Sequence, residues 1–83
     1  MDDAVIAETM LSMIAGRAAP ATVCPSEVAR ALAPDAAAWR ALMPQVREVA
    51  AHLAARKLID VTRRGTTVDA TAPGGPIRLG RPR

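Results

Sequence analysis

Residues 39–65, WRALMPQVREVAAHLAARKLIDVTRRG, are the most informative part of the sequence because their hydrophobic period changes once. Up to Lys57 the apolar residues recur three and four positions apart, which is the spacing of one helical face. After Lys57 they alternate, so that Ile59 and Val61 point to one face of a strand. The residues RRG at 63–65 are a turn signal. The stretch therefore predicts a long helix, then a strand and a turn.

Pro44 lies inside the helical pattern, which extends over residues 36–57. A proline in a helix interior costs about 3 kcal/mol, because it removes a hydrogen bond and clashes with the preceding turn. We therefore expect a first turn that carries Trp39, then a kink, and a main helix that begins near Pro44.

Two shorter helices are predicted before this stretch. Residues 3–15 place their apolar side chains on one helical face, with Asp2 positioned as a cap and Gly16 as a stop signal. Pro25 suits the first position of a second helix, and Glu27 suits the capping position in its first turn. A second helix of about eight residues is typical of a helix-turn-helix.

The C-terminal residues predict a β wing. Residues 66–68 predict a short extended piece, PGGP at 73–76 a flexible tip, and residues 77–79 a second main strand. The order helix-helix-helix-strand-wing-strand is that of a winged helix, a mainly α fold with a small β-hairpin (α+β). We expect one winged-helix domain over residues 1–80, followed by a basic tail at 81–83.

Three motifs carry a family resemblance: CPSEVA at residues 24–29, WR at 39–40 with MPQVR at 43–47, and GPIR at 75–78. Together they resemble an uncharacterised family of short bacterial winged-helix-like domains of unknown function. The resemblance covers about residues 6–79 and implies the winged-helix fold. It implies no activity, because the family has none assigned.

The chain is small and its core must be aliphatic. It has 83 residues, of which 19 are alanine, and Trp39 is its one aromatic residue. A domain of this size buries only about three-fifths of the surface of its unfolded chain, which leaves little core to enclose a catalytic pocket. The periodicities predict that twelve residues form the core. These are Ile6, Met10, Ile14, Val28, Leu32, Trp39, Val46, Val49, Leu53, Ile59, Val61 and Leu79.

Catalytic chemistry has few candidate residues. Cys24 could be activated by the start of the second helix, with His52 as its base, but a lone cysteine is more often a small buried hydrophobe. One cysteine and one histidine also cannot build an ordinary zinc site. We therefore expect a protein that is not an enzyme and has no cofactor, metal or small-molecule substrate. The acidic start and the absence of long apolar runs predict a cytoplasmic protein with no membrane contact.

Charge is distributed unevenly along the chain. Residues 1–39 carry five acidic and two basic side chains, a net charge of −3, whereas residues 40–83 carry nine basic and three acidic ones, a net charge of +6. Such asymmetry is typical of a face that attracts polyanions, although a solvated surface with a basic tail is the plainer alternative.

These charges suggest duplex DNA as a partner, bound weakly by the third helix and the wing. Six residues are the predicted contacts, two for the major groove (Gln45 and Arg47) and four for phosphates (Arg40, Arg63, Arg64 and Arg78). Two alanines and Glu48 on the same helix surface argue against sequence-specific reading.

The alternative is a protein-interaction domain on the same scaffold, with no nucleic-acid binding. Its contact surface would be the Leu11 side of the first helix or the alanine-rich face of the third, and its partner another protein or a second copy of itself. A fold does not determine a function, so both hypotheses stay open at this point.

Overall fold

The computed structural model, which describes residues 1–82, contains three helices and a small antiparallel sheet. The elements follow one another in the order α1 (Asp3–Ala15), α2 (Pro25–Leu32), α3 (Ala36–Ala55), β1 (Asp60–Arg63), β2 (Thr66–Thr67) and β3 (Arg78–Gly80). This is a mixed α+β fold, as predicted, and its arrangement is consistent with a winged helix. None of the helices in residues 1–82 combines the length and apolar character needed to cross a membrane.

Acidic side chains cap the starts of all three helices. The Asp2 carboxylate accepts from the Ala4 amide at 2.8 Å, which matches the predicted cap of α1. Glu27 accepts from the Cys24 amide at 3.2 Å and so satisfies a donor at the start of α2. The predicted capping role of Glu27 is confirmed.

α3 is a single helix from Ala36 to Ala55, with Pro44 inside it. The expectation of a separate first turn and a main helix beginning near Pro44 is wrong. Pro44 is exposed, so its ring does not disturb the core, and apolar residues on both sides of it pack against the core. Met43 on one side and Val46 on the other hold the two parts of the helix in register, which offsets the cost of the missing hydrogen bond.

The core lies between the three helices and one face of the sheet. Ten of the twelve predicted core residues are buried, but Leu32 and Trp39 are only half-buried and pack against its edge. α2 ends at Leu32 and α3 begins at Ala36, so both side chains lie where the bundle meets solvent. Five further buried hydrophobic residues were not among the predicted twelve, namely Val23, Ala29, Ala50, Ala70 and Ile77.

β1 is the central strand of the sheet, with β2 on one side and β3 on the other. Arg64 and Gly65 connect β1 to β2 with φ angles of 52° and 80°. Positive φ at both positions is typical of the type I′ turn, whose twist suits a two-residue hairpin loop. The predicted turn at residues 63–65 is therefore confirmed.

β1 begins at Asp60, two residues later than the alternating pattern suggested. The strand starts later because Leu58 still belongs to the end of α3. Lys57 has φ 60°, and the Leu58 amide donates to the Leu53 carbonyl at 3.0 Å. This six-to-one bond is that of a Schellman motif, which satisfies a carbonyl left open at the end of α3.

A single-residue bridge joins the segment before α2 to the sheet. Val23 and Leu79 exchange two backbone hydrogen bonds of 2.8 and 2.7 Å. The predicted element order did not include this pairing, because one residue has no periodicity to detect. The bridge fixes the start of α2 against β3.

Arg81, from the predicted basic tail, is held against the end of α1. Its guanidinium donates to the carbonyl oxygens of Ala15 and Arg17 at 3.3 and 2.9 Å. Arg83 lies outside the described residues, and the predicted division of the chain at residue 80 stays a prediction.

Candidate nucleic-acid interface

A cleft of about 430 Å³ separates α3 from the loop formed by residues 68–77, the wing loop. Its helical wall consists of residues spaced three and four apart, which therefore share one face of α3. The cleft, called the α3–wing cleft, is lined by Arg40, Met43, Pro44, Arg47, Glu48 and Thr71.

The α3–wing cleft carries two guanidinium groups and one carboxylate. Arg40 and Glu48 are exposed, whereas Arg47 is half-buried. The Nε of Arg47 is shielded from solvent and has no hydrogen-bond partner. A ligand cannot reach this shielded nitrogen in the present conformation, but the terminal nitrogens of a guanidinium can still pair with an anionic oxygen in the cleft. The cleft is therefore suited to bind a group such as a phosphate.

Thr71 brings the wing loop to the other side of the cleft, and Arg63 holds that loop. The Arg63 guanidinium donates to the carbonyl oxygens of Ala72, Pro73 and Gly75 at 3.1, 3.4 and 3.1 Å. Ala72 directly follows Thr71, so these bonds fix the part of the loop that lines the cleft.

Asp69 shapes the same loop from its other end. Its carboxylate accepts from the amide and the hydroxyl of Thr71 at 2.8 and 2.7 Å. The Thr71 amide, and then its hydroxyl, lower the pKa of Asp69 below its ordinary value. The side chain of Thr71 is thus held in place by a charged partner within the loop.

The six predicted contact residues do not share one surface. Arg40 and Arg47 meet in the cleft, and Arg64 is exposed at the turn between β1 and β2. Arg63 donates to the wing loop, as described above. Arg78 donates to the hydroxyl and carbonyl oxygens of Thr22 at 2.7 and 2.9 Å, beside the segment that precedes α2.

Gln45 connects α3 to the start of α1. Its amide donates to the Met1 carbonyl and, at 2.7 Å, to the Asp3 carboxylate. A major-groove contact by Gln45 and phosphate contacts by Arg63 and Arg78 stay predictions. Each of these contacts would have to compete with the hydrogen bonds that the side chain already makes within the protein.

A residue that was not predicted, Arg30, extends the basic surface onto α2. Its guanidinium carbon lies 4.5 Å from the centroid of the Trp39 ring, and that of Arg40 lies 5.2 Å from the same centroid. Such distances are typical of cation–π contacts. The helix-turn-helix order of α2 and α3 could have indicated this pairing, because it brings the end of one helix to the start of the next.

Comparison with protein families gives a match over residues 3–82. The matching family is described as Protein of unknown function (DUF3253). The chain belongs to this family. The predicted membership of a family of unknown function is thus confirmed for nearly the full length of the chain. Comparison with curated proteins finds no match.

The two candidate catalytic residues of the DUF3253 domain are positioned by different helices. Cys24 is half-buried at the start of α2, with its sulfur 3.0 Å from the Ser26 hydroxyl oxygen, whereas His52 is exposed near the end of α3. Within residues 1–82, no three His, Cys, Asp or Glu side chains are grouped closely enough to hold a metal ion.

Proposed function

We propose that this DUF3253 domain is a non-catalytic module that binds the phosphate backbone of duplex DNA in its α3–wing cleft. The observation that carries the proposal is that Arg40 and Arg47 both line this cleft. An arginine fork can donate two hydrogen bonds to phosphate oxygens, and its charge is permanent. Both features favour a polyanionic partner.

Each side chain around the cleft has a defined role in this proposal. Arg40 and Arg47 contact phosphates, although the sequence predicted Arg47 for the major groove. The Thr71 hydroxyl adds no donor, because it already donates its proton to the Asp69 carboxylate. Arg64 reaches the same backbone from the exposed hairpin turn, and Arg30 extends the positive surface along the duplex.

Binding should be weak and nearly independent of sequence. Phosphate contacts position a protein but do not read bases. Glu48, in the cleft wall, opposes the approach of phosphates, and Gln45 already donates to the start of α1. Few free donors therefore remain on α3 to discriminate among base pairs.

The interaction-domain alternative has less support from the surface. Leu11, the proposed contact residue of α1, is half-buried and packs against the core. The exposed large apolar side chains among residues 1–82 are Met1, Val5 and Leu58, and Leu58 follows α3 while the other two lie at the start of α1. An extended apolar patch, which is typical of a protein interface, would need more such residues side by side.

The test measures how binding of a labelled duplex depends on salt. Each phosphate contact contributes about −0.9 to the slope of log affinity against log salt concentration. Arg40→Ala and Arg47→Ala should each flatten that slope by about 0.9. Arg56→Ala is the matched control, because Arg56 lies at the opposite end of α3, outside the cleft. Its slope should remain close to that of the wild type.

Two further measurements locate the contact. The fluorescence of Trp39, the one aromatic residue of the chain, should change on binding because its ring contacts Arg40. Glu48→Gln should tighten binding by removing a negative charge from the cleft wall. If the duplex does not bind at low salt, or if none of these changes alters its affinity, the interaction-domain alternative becomes the better account.

A further inference from the structure

Two adjacent arginines of the wing, Arg63 and Arg64, are placed in contrasting environments. Arg63 is half-buried and donates to three carbonyl oxygens of the wing loop, whereas Arg64 is exposed at the hairpin turn. Successive side chains of a strand point to opposite faces, so the last residue of β1 and the first of the turn reach different surroundings. From sequence both residues had the same predicted role.

We propose that Arg63 is a positioning residue of the α3–wing cleft, one that shapes the wing loop and does not itself contact phosphate. Its loop-holding role is independent of any ligand. Its effect on DNA affinity rests on the function proposed above.

The hydrogen bonds of Arg63 support this role first. The bonds come from both terminal nitrogens, so the loop backbone curves around the end of the side chain. The Nε of Arg63 is shielded from solvent and has no hydrogen-bond partner. A phosphate would have to displace the carbonyl oxygens to reach the two nitrogens that a fork uses in paired contacts.

The backbone of the loop supports it independently. A Cβ added to Gly74 would lie 2.9 Å from Nη1 and 3.3 Å from the Cζ of Arg63, so the guanidinium occupies the space of a side chain at that position. Gly74 also has φ 135°, which L-amino acids rarely adopt. The glycine and the arginine are thus fitted to each other.

Arg63 affects the cleft because the residue that it binds, Ala72, directly follows Thr71 in the chain. The Ala72 carbonyl that accepts from Arg63 belongs to the residue after Thr71, and Thr71 lines the cleft opposite α3. Loss of the guanidinium would release this wall and leave the ligand to order it on binding. Ordering a loop at the moment of binding lowers affinity without removing a phosphate contact.

The experiment compares Arg63→Ala with Arg64→Ala, which remove the same charge from neighbouring positions. Amide hydrogen exchange of the protein without DNA reports on the loop, since the Ala72 amide donates to the Asp69 carbonyl and the Thr71 amide to the Asp69 carboxylate. Arg63→Ala should speed exchange at Thr71 and Ala72 by about tenfold or more, while Arg64→Ala should leave it unchanged. Exchange at Val23 and Leu79, which bridge the segment before α2 to the sheet, shows whether the fold persists.

Duplex binding gives the second readout. Arg63→Ala should weaken affinity by about three- to tenfold, the effect of one net hydrogen bond, with no change in the salt slope. Arg64→Ala should flatten the slope by about 0.9. Arg63→Lys keeps the charge but lacks the fork, so it should speed loop exchange as Arg63→Ala does.

Gly74→Ala tests the proposal without altering any charge. It should expose the loop amides as Arg63→Ala does, and more than Gly75→Ala, because a Cβ at Gly75 meets no atom within 4 Å. The proposal is overturned if Arg63→Ala flattens the salt slope while loop exchange stays slow, since that result defines a direct phosphate contact. If the wild type does not bind the duplex, the proposed function fails, and loop exchange alone decides the role of Arg63.

Discussion

The helical bundle and residues 71–76 of the wing loop are stabilised in different ways. The bundle buries aliphatic side chains such as Ile6, Val46 and Leu53, and none of the buried residues among 1–82 is polar or charged. Residues 71–76 bury no side chain and are tied down by polar bonds from Arg63 and Asp69. The stability of the bundle is shared among many buried residues, whereas the conformation of the loop depends on the side chains of Arg63 and Asp69. Substitutions should therefore act globally in the bundle and locally in the loop.

The largest effect is expected in the bundle, at Leu53. This side chain is 5% exposed, and Leu53→Ala should lower the free energy of unfolding by about 2–5 kcal/mol through lost burial and a cavity. Leu58→Ala is the matched control, because Leu58 is 40% exposed, and it should cost less than about 1 kcal/mol. Denaturant unfolding measures both. Equal losses for the two variants would contradict the helix register deduced from the core.

The next effect tests a polar contact within the bundle, at the start of α2. The Cys24 amide, followed by the Arg17 guanidinium, lowers the pKa of Glu27 below its ordinary value of 4.5. A lowered folded-state pKa stabilises the fold above the unfolded pKa, and this stability is lost as pH falls through the folded value. Glu27→Ala should cost about 0.5–2 kcal/mol at pH 7.

The pH profile of Glu27→Gln separates charge from capping, since an amide oxygen can still accept from the Cys24 amide. Unfolding free energies measured from pH 7 down through 4.5 should fall less steeply for this variant than for the wild type. Parallel profiles would show that the Glu27 charge does not stabilise the native state.

A glycine pair compares the turn between β1 and β2 with the end of α1 in the bundle. Gly65→Ala in the hairpin turn should destabilise by about 1 kcal/mol, because φ 80° is strained for alanine. Gly16→Ala at the end of α1 should instead stabilise by about 0.4–1 kcal/mol, since its φ of −75° suits alanine and the unfolded chain loses entropy. Thermal midpoints that move in opposite directions would confirm the contrast, and a shared direction would refute it.

The smallest effect is expected at the end of α3. Lys57 has φ 60° at the end of α3, so Lys57→Gly should relieve the strain and stabilise by about 0.5 kcal/mol. Lys57→Ala keeps the Cβ and should bring no gain. A stabilised alanine variant would show that the lysine side chain, and not the backbone, is unfavourable there.

Local periodicity was sufficient to predict most of the fold. The bounds of α1 and the start of α2 agree with the spacing and capping patterns, and ten core residues were identified from which side of a helix or strand is apolar. These features depend on residues within one or two helical turns of each other, so they can be deduced from residues that are close in the sequence. The continuity of α3 through Pro44 could not be predicted in this way, because packing on both sides of the proline offsets the local cost of a proline in a helix.

The positions of the basic residues and the buried face of each helix follow from the amino-acid sequence, but the contacts of each arginine depend on how the chain folds. Arg40 and Arg47 share a cleft, Arg63 binds the wing loop, and Arg78 binds the segment before α2. A burial pattern repeats along an element and is therefore visible in its period. The partner of a long polar side chain is set by one distant segment, such as Thr22, which lies 56 positions away from Arg78. A single contact of that kind leaves no repeating signal, so it becomes known only once the chain has folded.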